Sequence, residues 1–228
     1  MYDYSRQAPY ADYGTDVGLI SRPAVLSKVM GLLGFAFLFT AGGAVIGQSL
    51  GPGAFLLSII GGFGTLIALQ FLRDRSPLNL ALLYGFATFE GMALGLILEA
   101  YVARGLGGAV FNAAATTAAV TLAAGAYGYT TKRDLSGLGG ILLVGLIGVV
   151  VASVVGIFVQ LPLLYIGISA VAAVLFTGFL VFDLNRVANA RGATEGQAIL
   201  LAVSVYLDIF NLFLALLRLF GFAGSSRD

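Results

Sequence analysis

From Lys28 onward the chain alternates long apolar runs with short interruptions of glycine, proline and charged residues. An α-helix rises about 1.5 Å per residue, so about 20 apolar residues cross the roughly 30 Å hydrocarbon layer of a bilayer. Seven runs reach that length: 28–48, 53–72, 78–102, 109–130, 138–159, 162–182 and 197–220. The interruptions, such as Gly51-Pro52-Gly53, Arg73-Asp74-Arg75-Ser76-Pro77 and Gln160-Leu161-Pro162, are turn signals that also satisfy freed helix ends. Runs one and two, and five and six, are joined so tightly that each pair must form an antiparallel hairpin. The organisation is a polar tail over 1–27, a seven-helix transmembrane domain over 28–222 and a short tail over 223–228.

Composition makes the bilayer the only workable solvent. Of 228 residues, 59% are hydrophobic and 10% charged, and mean hydropathy is +0.99. A soluble domain of this size exposes too much surface to hide that many apolar groups. The formal net charge of +1 supplies no basic field for nucleic acid. The chain holds no Cys, His or Trp, which removes thiolate chemistry, Ser-His triads, His-ligated metals and a Trp belt.

Charge also sets an expected orientation. Lys and Arg on the side of the N-terminus (Arg6, Arg22, Lys28, Arg73, Arg75, Lys132, Arg133, Arg186, Arg191) outnumber Arg104, Arg218 and Arg227 on the other. The positive-inside rule then predicts a cytosolic N-terminus and an external C-terminus in the plasma (inner) membrane. Glycines recur at helix-packing spacing in Gly43-xxx-Gly47 and Gly91-xxx-Gly95, and around Gly61, Gly62 and Gly64. The reading favoured here is packing within one bundle, and the chain is expected to act as a monomer.

Charged residues inside apolar runs are costly and mark functional candidates. Asp208 sits near mid-bilayer in Tyr206-Leu207-Asp208-Ile209-Phe210-Asn211, with Asn211 on its face. Asp183 closes the sixth run, three residues before Arg186. If the two carboxylates meet at about 4 Å, they repel by about 4 kcal/mol at an effective dielectric of about 20. Such a pair shares a proton and titrates as one unit, giving a His-free chain a means of sensing pH. Glu90, within the third run, is either pore-lining or a neutral carboxyl hydrogen-bonded between helices. Arg73 is either an anchor at the membrane surface or a counter-ion for the aspartates, and Arg75 offers the same choice.

The stretch from Ser204 through Leu217-Arg218, with Phe182-Asp183-Leu184-Asn185 and Phe89-Glu90-Gly91 plus Gly95, resembles the signatures of the Bax inhibitor-1 (transmembrane Bax inhibitor motif) family, in its bacterial form. The resemblance implies an all-α membrane protein with six helices around a central seventh. It implies a pH-sensitive calcium leak channel whose sensor is Asp183 and Asp208, with Arg73 as the latch of the closed state. Calcium is then the transported ion, coordinated weakly and in passing by Asp183 and Asp208, with protons as the second small partner and no cofactor. The C-terminal residues lack the lysine-rich end of eukaryotic relatives, which argues against a tail-based sensor. The alternatives are a proton-coupled cation exchanger and a non-conducting membrane scaffold. An intramembrane aspartyl protease would need a Gly-x-Gly-Asp setting that is absent, and no lysine lies where a retinal Schiff base would form. The chain therefore reads as a non-enzyme.

Overall fold

A computed structural model describes residues 22–131, 133, 135–190 and 192–225. Residues 1–21 of the polar tail expected over 1–27, together with Lys132, Asp134, Arg191 and residues 226–228, lie outside the described residues. Seven helices follow in chain order: α1 (Arg22–Leu50), α2 (Gly53–Leu72), α3 (Leu78–Ala103), α4 (Gly107–Thr130), α5 (Leu138–Val159), α6 (Pro162–Asn189) and α7 (Glu195–Ser225). All seven are long and apolar enough to cross a membrane, and the protein is an all-α, seven-span membrane protein.

Three helices differ most from the apolar runs. α1 begins at Arg22 rather than 28, α7 covers Glu195–Ser225 rather than 197–220, and α6 continues to Asn189 rather than stopping at 182. Hydropathy stops at the first charge, whereas a helix stops where its polar groups lose their partners. The last turns of α6 keep theirs. Asn185 Nδ2 donates to Gly128 O of α4 at 2.8 Å, and Asn189 Nδ2 donates to Asn185 O at 3.0 Å. Asp183 is therefore inside α6 and does not close it.

Helix ends are set by local chemistry. Gly51 and Gly105 turn with φ of 66° and 77°, a region that side chains with a Cβ avoid. Gln160 ends α5 in the left-handed region, its N–H donating to Gly156 O at 2.9 Å, and Pro162 opens α6 where no N–H is needed. Tyr165 Oη donates to the same Gly156 carbonyl at 2.7 Å, which ties the α5–α6 hairpin shut.

The closest seam joins α1 to α3. A Cβ built at Gly43 or Gly47 would overlap the backbone of Thr88 or Met92. One at Gly91 or Gly95 would overlap Thr40 or Ala44. The two small-xxx-small motifs thus face each other inside one chain, and the helices meet backbone to backbone. Gly61 and Gly62 make room for Phe89 and Glu90 on α3, whereas Gly64 has open space around it and takes no part. α2 packs on α3 far more than on α1, despite the short α1–α2 turn.

α7 is the central helix. It packs directly on α1, α3, α4 and α6, and Ala198, Ile199, Val205, Tyr206, Leu212 and Leu217 are buried. Tyr206 stacks on Phe210 at 5.8 Å and meets Phe37 and Phe86. Its hydroxyl lies 2.8 Å from Thr40 Oγ1. Thr40 already donates to Ala36 O at 2.9 Å, so Tyr206 is the donor between them. Lys28 Nζ and Glu195 Oε1, 2.6 Å apart, join the starts of α1 and α7. The remaining two helices, α2 and α5, rest on α3 and α6 and stand opposite α7 across cavities.

Candidate functional site

The polar residues of α7 fall on one strip. Gln197, Ser204, Asp208, Asn211 and Arg218 recur at steps of seven, four, three and seven residues, which keeps them on one helical face. Two cavities run along that strip. The first, of about 430 Å³ between α5, α6 and α7, is lined by Ser153, Ser169, Asp183, Ser204, Asp208, Asn211 and Arg218 among apolar side chains. The second, of about 520 Å³ between α2, α6 and α7, is lined by Gln70, Arg73, Arg186, Gln197 and Ser204 among leucines and Val203. Ser204 and Leu207 belong to both walls, so the cavities adjoin.

Asp183 and Asp208 meet at the first cavity. Both are 5% exposed, and their carboxyl groups lie within direct interaction range of one another. The last turn of α6 packs inward, with Val187 and Ala188 buried, and Ala193 is buried just before α7. Asp183 lies six residues from the end of α6 and Asp208 well inside α7, and both reach the same cavity.

One cation holds the pair. Arg186 Nη1 donates to Asp183 Oδ1 at 2.8 Å, and its guanidinium also lies 5.5 Å from the centre of the Phe182 ring. Burying two acids beside each other is costly unless a charge and hydrogen bonds compensate. Here compensation is incomplete. Asp208 Oδ2 and Ser169 Oγ are buried without a hydrogen-bond partner, and both residues line the same cavity. An orphaned carboxylate oxygen in a polar cavity is equipped to take a proton, a water or a passing cation.

The remaining sequence candidates divide. Asn211 lines the aspartate cavity and donates from Nδ2 to Leu207 O at 2.8 Å, which leaves its Oδ1 for the cavity. Glu90 does not line it: Glu90 sits between α3 and α2 with Oε1 against Gly62, because the glycines of α2 leave room there. Arg73 is not on the aspartates in this conformation. Its Nε lies 3.5 Å from Asp74, and its side chain is 43% exposed on the wall of the second cavity, which it shares with Arg186. Arg75 is exposed and lines neither cavity. Ser153, Ser169, Ser204 and Gln197 were missed from the sequence. The periodic strip on α7 was the available signal for Ser204 and Gln197; nothing local marks the serines of α5 and α6.

Among the described residues, no three acidic side chains gather as metal ligands. The match to known proteins then covers this whole frame: residues 22–225 fit the family model described as inhibitor of apoptosis-promoting Bax1. The chain belongs to the Bax inhibitor family. It is 34% identical over 213 residues to the modulator of FtsH protease YccA of Escherichia coli, covering 92% of this chain and 94% of that one. It is 33% identical over 220 residues to the Golgi anti-apoptotic protein of vaccinia virus, covering 91% and 90%. An uncharacterized membrane protein of Streptococcus pyogenes is 36% identical over 154 residues, or 65% of this chain and 66% of its own length. Bax inhibitor family membership and the seven-span fold therefore agree.

Proposed function

We propose that this protein is a pH-sensitive calcium leak channel of the inner membrane, without enzymatic activity or cofactor, gated by a proton shared between Asp183 and Asp208. The single observation that carries this reading is the position of the pair. The pair lines the first cavity, next to the Ser204–Leu207 wall shared with the second, and together the two cavities follow α7 from Gln197 to Arg218. Twenty-one residues of helix span about 32 Å, close to the roughly 30 Å of a hydrocarbon core. The basic face, with Lys28, Arg73, Arg75, Arg133 and Arg186, is cytosolic in this reading.

The mechanism follows from charge. With one proton between them, the aspartates carry one negative charge, which Arg186 offsets. Losing that proton puts a second negative charge beside the first in a low-dielectric site. The pair must then separate or accept a cation. Calcium wants about six to eight oxygen ligands; Asp183, Asp208, Asn211 and Ser169 hold six side-chain oxygens between them, and Arg186 already occupies Oδ1 of Asp183, which leaves the set short. Binding is therefore weak and transient, which suits passage rather than storage. Arg73, on the same cavity wall as Arg186, is the latch that reaches the pair in the closed state when Leu207 gives way.

A second reading rests on the name of the Escherichia coli relative, a modulator of a membrane protease. Under it, this chain acts by contact with other membrane proteins and conducts nothing. A monomeric leak and a scaffold separate in one assay. Purified protein in vesicles loaded with a calcium dye should admit calcium down its gradient, above empty vesicles, with no proton gradient applied. Entry that demands an opposing proton flux makes it an exchanger. No entry at any pH leaves the scaffold.

A further inference from the structure

The second cavity is built differently from the first. Its lining holds two arginines, two glutamines, a serine and five apolar residues, and no acid. Charged and amide side chains gather at one end of both of its long walls, with Ser204 the polar residue deeper in. Leu66 and Gln70 of α2, with Arg73 capping its end, lie on one face, from the bundle interior to the basic face of the molecule. On α7, Gln197 lies at that basic face, and Leu200, Leu201, Val203 and Leu207 follow toward the interior. Arg186 of α6 completes the polar end. The carboxylate nearest Arg73, Asp74, is largely exposed and outside the lining.

We infer that this cavity binds an anionic phospholipid, its phosphodiester between Arg73 and Arg186 and its acyl-ester end along Leu66, Leu200 and Leu207. Arginine guanidinium groups bind phosphate oxygens in a planar, paired geometry, and basic pockets between spanning helices suit acidic headgroups. A free phosphate would use the arginines but not the apolar wall. The lipid uses both. The site has a consequence for the neighbouring pair, resting on the channel reading above: Arg186 is also the cation on Asp183. A headgroup that draws Arg186 toward itself weakens its hold on Asp183, so anionic lipid favours the conducting state.

Native mass spectrometry of the full-length protein in detergent tests the site without reference to flux. The probes are dioleoyl phosphatidylglycerol and dioleoyl phosphatidylcholine at equal concentration. Wild type should retain the glycerol lipid about tenfold over the choline lipid. Arg73→Gln and Arg186→Gln should bring the two near parity, while Arg133→Gln, a charge loss on the same face but outside the cavity, should keep the preference. Arg186→Gln strands Asp183 and risks misfolding, so Arg73→Gln, half-exposed and paired only to a surface acid, carries the result. Equal retention of both lipids by wild type, or an undiminished preference in Arg73→Gln, overturns the proposal. Displacement of the lipid by excess inorganic phosphate also overturns it, because the site then belongs to the free anion. In vesicles, exchanging the choline lipid for the glycerol lipid should raise calcium entry several-fold in wild type and not in Arg73→Gln. Lipid preference without calcium entry in any vesicle defeats the channel reading and leaves the lipid site standing.

Discussion

Arg186 sits three residues beyond Asp183 on α6, and its Nη1 holds Asp183 Oδ1 at 2.8 Å at the junction of the two cavities. The arginine is half exposed while the aspartate is buried, so the pair bridges water and membrane interior. Removing only the cation leaves an uncompensated carboxylate. Arg186→Gln should therefore lower stability by about 1–2 kcal/mol, below the 3–5 kcal/mol of a fully buried pair because half of Arg186 meets solvent. The double variant Asp183→Asn/Arg186→Gln should recover most of that loss. Thermal unfolding in detergent reads both, and a double variant no better than the single would detach the ion pair from the stability of the site.

The α1–α3 seam makes a sharper structural prediction. Gly91→Leu would drive a side chain into the backbone of Thr40. Overpacking costs about 1–3 kcal/mol where side chains can adjust, and backbone cannot. Monodisperse protein should be lost. Gly64→Ala, with open space around it, should be neutral or gain up to about 1 kcal/mol. Size-exclusion profiles of the two variants give the comparison.

Tyr206→Phe isolates one hydrogen bond. The ring keeps its contacts with Phe37, Phe86 and Phe210, while the 2.8 Å bond to Thr40 disappears and Thr40 retains Ala36 O. Interhelical hydrogen bonds in membranes average about 0.6 kcal/mol and reach about 1.7 kcal/mol. The melting temperature should fall by a few degrees, without change in fold or yield. A collapse in yield would mean that the hydroxyl does more than join α1 to α7.

Lys28 and Glu195 are close, at 2.6 Å, yet both are substantially exposed. A surface ion pair contributes about 1 kcal/mol or less and is screened by salt. Lys28→Gln should shift unfolding little in low salt and not at all in high salt. A large, salt-insensitive loss would show that this pair clamps the starts of α1 and α7.

Much of the frame was legible in the sequence because bilayer thickness imposes it. Seven runs of the right length became seven helices, and the two glycine motifs met each other as packing surfaces. Asp183 was placed too near a helix end because apolar content stops at Phe182, while hydrogen bonds from Asn185 and Asn189 carry α6 onward. That extension sets Asp183 inside α6, where it can line the same cavity as Asp208, and it is not visible in hydropathy. The spacing of Asp183 and Arg186 allowed their pairing. It could not decide between Arg186 and Arg73 as the arginine in contact, since that depends on rotamers and on the cavity between α2 and α7. Glu90 was ambiguous for a similar reason, because its neighbours are the glycines of another helix.

The central claim is that Asp183 and Asp208 act together as one proton-sharing gate. Calcium entry into dye-loaded vesicles, followed from about pH 6 to about pH 8, tests it directly with wild type, Asp183→Asn and Asp208→Asn. The account predicts a pH-dependent entry in wild type and the same flat profile in both variants, since either substitution leaves a single titrating carboxyl and no shared proton. A wild-type pH profile that survives in either variant would contradict it.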